Sequence, residues 1–144
     1  MKTKSRCIGF FVLLLLLSAC SNGDSPTVQS LLVDHKQFEQ TEANESKKKL
    51  MELDEFIDVH GVSIEDRIYL SPKVKQLARF RLNGLRKQSF DQIKNLYPEH
   101  EIHVSTDKKV YMELEKLEQR LKDGKITEEE LKKELDKIEK HMKG

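Results

Sequence analysis

The last third of the chain places Val110, Leu114, Leu117 and Leu121 at steps of four, three and four, and repeats those steps at Leu131, Leu135, Ile138 and Met142. An α-helix returns such positions to one face, and a strand does not. Between the two series lie Gly124 and then Thr127-Glu128-Glu129-Glu130. Glycine suits the left-handed residue just past a helix end. Threonine followed three residues later by glutamate is a capping box. The spacing therefore predicts two antiparallel helices, 107–122 and 128–142. From Asp107 onward acidic and basic residues balance at eleven each, so the outer faces are solvated.

Upstream the period changes. Leu50, Leu53, Phe56 and Ile57 recur at helical spacing and predict a short helix over 46–57. Val59-x-Val62-x-Ile64 and Arg67-Ile68-Tyr69-Leu70 carry β-branched and aromatic residues, which predicts tightly joined strands over 58–64 and 67–71. Ser71-Pro72 reads as a helix cap and first helical residue. From there Val74, Leu77, Ala78, Leu82, Leu85, Ser89, Ile93 and Leu96 share a face of a helix running from Pro72 to Tyr97, weakest at Gly84 and stopped by Pro98. Glu101-Ile102-His103-Val104-Ser105 alternates as a third strand. The expectation is a single α+β domain over 46–144. It is a small α-β-β-α-β unit, a three-stranded sheet with helices on one face, from which the C-terminal helical hairpin (107–144) extends.

The start of the chain is not part of that fold. Lys2, Lys4 and Arg6 precede an apolar run from Ile8 to Leu17, ten residues against the roughly 20 that span a bilayer. A positive start, a short apolar run and small residues at its end make a secretory signal. Its end, Leu17-Ser18-Ala19-Cys20, resembles the lipobox of bacterial lipoproteins, in which the cysteine sulfur receives a diacylglycerol and becomes the new N-terminus. The alternatives are a plain secreted protein and an uncleaved anchor. On the lipoprotein reading, 1–19 is the signal peptide and Cys20 is the lipidation site. Two acyl chains then hold the protein stably on the extracytoplasmic face of the cell membrane. Cys7 leaves with the signal, so Cys20 has no partner for an internal disulfide. Residues 20–45 continue from Cys20 with Ser-Asn-Gly-Asp-Ser-Pro and read as a flexible tether. The formal net charge of +1 points to no nucleic acid, and the mature chain, with 23 basic and 25 acidic residues, has no overall attraction to an anionic membrane beyond its lipid.

Pro98-Glu-His-Glu-Ile-His-Val-Ser-Thr-Asp107, the following Lys-Lys-Val-Tyr-Met-Glu-Leu, Gly124-Lys125-Ile126 and the upstream Ala78-Arg79-Phe80-Arg81-Leu82 together resemble the YhcN/YlaJ family of sporulation lipoproteins, the YlaJ branch more closely. The resemblance covers about residues 50–142 and the lipobox. It implies a spore-associated lipoprotein acting in sporulation, germination or outgrowth. It carries over no catalytic residues.

The residues offer no catalytic arrangement: no glycine-rich phosphate loop, no paired cysteines and no Gly-x-Ser-x-Gly. His100 and His103 are the one close histidine pair, and on a strand they point to opposite faces. No metal, no cofactor beyond the diacylglycerol on Cys20 and no enzymatic activity are expected. Glu128-Glu129-Glu130 suits a helix N-terminus without a cation. The helix from Pro72 carries seven basic residues and one acidic residue between Lys73 and Lys94. Arg79, Phe80, Arg86, Lys87 and Lys94 lie off its apolar face and are the candidate contact residues for a spore-envelope protein, an anionic surface or self-association. The competing expectation is that the C-terminal hairpin covers the phenylalanines of this helix. A small solute-binding or enzymatic lipoprotein, with a pocket built from His60, Tyr69 and His103, and a purely structural envelope spacer are the alternative functions.

Overall fold

The computed structural model describes residues 38–143. Cys20, the signal segment and the tether up to residue 37 lie outside them. The elements are α1 (Thr41–Leu50), β1 (Phe56–Ile64), β2 (Arg67–Val74), a 3₁₀ segment (Gln76–Arg81), α2 (Leu82–Leu96), β3 (Glu101–Val104), α3 (Lys108–Lys122) and α4 (Glu128–Lys143). The fold is α+β: a three-stranded mixed sheet with helices, followed by the two C-terminal helices. No helix among the described residues is long and apolar enough to cross a membrane.

The sheet has the order β1-β2-β3. β1 and β2 form an antiparallel hairpin in which Val62 faces Tyr69 and Ile64 faces Arg67. β3 runs parallel to β2, with Ile102 beside Ile68 and His103 beside Tyr69. The parallel pairing needs a crossover, and α2 supplies it. Alternation along the strands gives the sheet two apolar faces. Val59, Ile68, Leu70 and Ile102 pack with Leu50 of α1 and Leu85 and Ile93 of α2. Val62, Ile64 and Tyr69 pack with Val110, Leu114, Leu117 and Leu121 of α3 and Leu131, Leu135 and Ile138 of α4. The helices predicted for one face are there, but the hairpin does not extend away from the unit. It covers the other face of the sheet, because two apolar stripes bury more surface against Val62, Ile64 and Tyr69 than against each other alone.

The hairpin itself closes as its sequence dictates. Asp107 caps α3 by accepting from the N–H groups of Lys109 and Val110. At the other end Gly124 has φ +62°, its N–H donates to Leu121 and the Lys125 N–H donates to Arg120, a Schellman motif. Thr127 and Glu130 exchange both bonds of the capping box at 3.2 Å.

Three boundaries differ from expectation. Folded structure starts before Ser46: α1 begins at Thr41, and Gln40 and Ala43 are buried. Its buried stripe, Ala43, Ser46, Lys47 and Leu50, is largely small or polar, so an apolar periodicity does not register it. The helix also ends at Leu50, not residue 57, because Phe56 opens β1. The helix expected from Pro72 begins ten residues later. Ser71 and Pro72 continue β2, and the Ser71 hydroxyl donates to the Ser105 carbonyl at 2.8 Å instead of capping a helix. Proline is tolerated there because β3 pairs with β2 only up to Leu70, so the position beyond it has no ladder bond to lose on that side. The 3₁₀ segment, at three residues per turn, then breaks the helical phase. Leu77 is consequently exposed, while Ala78, Leu85, Ser89 and Ile93 stay buried.

Candidate functional site

The five candidate contact residues occupy three settings. Arg79 and Phe80 lie on the 3₁₀ segment, exposed. Phe80 is 85% and its neighbour Leu77 87% exposed. The hairpin reaches this segment only at Arg79, through α3, and with Phe80 this exposed the expected cover over it does not form. Arg79 borders a groove of about 690 Å³ with Ile57, Val74 and Met112 as apolar lining and Lys73 and Lys108 as further cations. Arg86 and Lys87 are exposed on α2 where it overlooks the open edge of β3. Lys94 turns back and donates to the His100 carbonyl at 2.7 Å, tying the end of α2 to the turn before β3.

A second cluster was missed in the sequence. Glu118 and Lys47 are both fully buried and meet at 2.8 Å. The same Glu118 oxygen accepts from the Gly61 N–H at 2.8 Å, and its other oxygen contacts His60 Nδ1 at 2.7 Å. Burial pushes the Glu118 carboxyl up, but His60, Lys47 and the Gly61 N–H together outweigh it and hold the group below its ordinary value. Lys47 has one acceptor, Glu118, and burial pulls its ammonium below the ordinary lysine value. Around this pair His60 leans on the Tyr111 ring at 4.7 Å, and the Tyr111 hydroxyl donates to Asp58. Both Glu118 oxygens are committed to internal partners, so the cluster is a structural junction of α1, β1 and α3. A sequence signal existed: Glu118 stands four residues after Leu114 and three before Leu121, on the stripe itself.

The third cluster sits at the edge of β3. Glu101 and His103 are two residues apart on a strand and share the face covered by α4. His103 stacks on Tyr69 with ring centroids 4.5 Å apart and planes 7° from parallel. Its Nε2 lies 3.2 Å from Glu101 Oε1 and 3.9 Å from Glu139 Oε2. That nitrogen is buried and has no hydrogen-bond partner. Burial pushes the imidazole below its ordinary value, against the pull of Glu139 and Glu101, and so favours the neutral ring. The Tyr69 hydroxyl donates to Glu139 Oε2 at 3.0 Å and accepts from Arg67 at 3.2 Å. Beside His103 opens a cavity of about 320 Å³ bordered by Arg86, Lys87, Phe90, Met142 and Lys143.

The pocket of His60, Tyr69 and His103 required by a solute-binding reading does not assemble. Tyr69 and His103 stack, while His60, on the same face but further along β1, is held by Glu118 and Tyr111 of α3. His100 lies against Tyr97 instead of near His103's carboxylates. In the Glu128-Glu129-Glu130 run, Glu128 pairs with Lys132 and Glu130 completes the capping box. Comparison with protein-family models, with curated proteins and with solved structures gave no match.

Proposed function

We propose that the chain is a lipid-anchored protein of the extracytoplasmic membrane face that works by contact and not by catalysis. The YhcN/YlaJ resemblance supports a setting in sporulation, germination or outgrowth. Cys20 carries the anchor, and the surface around Arg79 and Phe80 meets a partner protein of the spore envelope. The observation that carries this reading is the exposure of Leu77 and Phe80, 87% and 85%, on a segment that also carries Arg79 and Arg81. Two large apolar side chains that far into solvent, with the exposed Arg79 between them in sequence and a partly apolar groove beside it, suit an acidic-apolar protein surface.

The test combines two full-length variants in sporulating cells. Cys20→Ala is expected to leave the membrane fraction. Arg79→Glu with Phe80→Ser is expected to stay anchored at normal abundance and to reproduce the germination or outgrowth phenotype of a deletion. Membrane retention of Cys20→Ala overturns the anchor. A wild-type phenotype for the double variant overturns the contact surface.

A further inference from the structure

We propose that Glu101, His103 and Glu139 form a binding site for a divalent first-row transition ion, with Zn²⁺ the best match. Their three ligand atoms, two carboxylate oxygens and one imidazole nitrogen, lie within 4.8 Å of one another. The His103 side chain is only 9% exposed, and its unpartnered Nε2 is aimed between the two carboxylates. A buried ring nitrogen set between two carboxylate oxygens with no hydrogen bond to either is satisfied by a cation held between them. Neither neighbouring side-chain cation reaches the His103 nitrogen: Lys143 pairs with the other oxygen of Glu139, and Arg67 reaches Asp136 and the Tyr69 hydroxyl.

The spacing fits the ion. Tetrahedral zinc with bonds of about 2.0 Å separates its ligands by about 3.3 Å. The 3.2 Å and 3.9 Å separations at His103 bracket that value, and a small rotation of Glu139 closes the longer one. The ligands are also held as metal ligands usually are. Tyr69 fixes the plane of the His103 ring by stacking and fixes Glu139 by donating to the oxygen nearest the ring. The imidazole selects a transition ion over Mg²⁺ or Ca²⁺, which take oxygen ligands. Bound there, the ion ties the end of α4 to the edge of β3, with its fourth position open to water.

The probe is Zn²⁺ alone, titrated calorimetrically into the full-length protein in detergent, with Co²⁺ absorption as a reporter of four-coordinate geometry. One ion per chain is expected, with no comparable heat from Mg²⁺. His103→Phe keeps the stack on Tyr69 without the nitrogen and is expected to abolish binding. Glu139→Gln, nearly isosteric, should weaken it by about tenfold or more. Lys143→Gln removes the competing cation and should tighten it. His60→Gln should leave it unchanged. Absence of stoichiometric Zn²⁺ binding overturns the proposal, as does binding that survives His103→Phe in a folded variant or disappears in His60→Gln.

Discussion

Gln40 pairs with Ser63 as a neighbouring strand would: its Nε2 donates to the Ser63 carbonyl at 2.8 Å, and the Ser63 N–H donates to its Oε1 at 3.0 Å. This is one of three such plugs. Val59, Gly61 and Ser63, alternate residues on the outer side of β1, donate their N–H groups to Asp58, Glu118 and Gln40. An edge strand left open is a template for another chain, and here side chains of α3, of the residue before α1 and of β1 itself fill it.

Gln40→Ala therefore orphans a buried N–H and a buried carbonyl. We expect a loss of about 1–3 kcal/mol in urea unfolding, with increased self-association by sedimentation. A chain shortened to 41–144, which keeps all of α1, should show the same defect relative to 38–144. An unchanged urea midpoint in both would refute this role of Gln40.

Removing one member of the Lys47–Glu118 pair strands the other in the core. Glu118→Ala should cost about 3–5 kcal/mol, and Lys47→Met less, because His60 and the Gly61 N–H still serve the carboxylate. Combining Lys47→Met with Glu118→Gln should recover part of the Glu118→Ala loss. A double-mutant cycle with no coupling would mean that the pair contributes nothing as a pair.

The pH dependence follows from the same carboxylate. Glu118 has a lower pKa folded than unfolded, so between the two values the unfolded chain binds more protons. Its contribution is fully present above the unfolded carboxylate value of about 4.3 and is lost as pH falls through the lower folded one. Stability measured from pH 7 downward should fall more steeply below about pH 4.3 in the wild type than in Glu118→Gln. Parallel profiles would contradict the assignment.

Gly61 and Gly84 should respond oppositely to alanine. A Cβ at Gly61 would stand 2.5 Å from Leu70 Cδ2 and 2.9 Å from the Tyr69 carbonyl, so Gly61→Ala should cost about 1–3 kcal/mol. A Cβ at Gly84 meets nothing within 4 Å inside α2, so Gly84→Ala should stabilise by about 0.5–1 kcal/mol. In the β1–β2 turn Glu65 holds φ +54°, and Glu65→Gly should stabilise for the converse reason. Thermal melts of the three variants check all three signs.

The C-terminal hairpin was legible residue by residue, because periodicity, the Gly124 end and the Thr127–Glu130 box are local and each is satisfied within a few positions. The strands were legible in kind for the same reason: β-branched runs declare themselves. The polar residues at 40, 47, 60 and 118 were not, because their burial depends on partners 23 to 71 positions away. The three ligands at 101, 103 and 139 converge only once β3 lies beside β2 and α4 packs across Tyr69. Local chemistry thus determined which elements form, while tertiary packing decided that Pro72 stays in a strand, that the hairpin covers the sheet and leaves Phe80 bare, and which charges are shut away from water. A buried charge is tolerated only where long-range contacts supply its counter-charge, and those contacts exist only in the assembled fold.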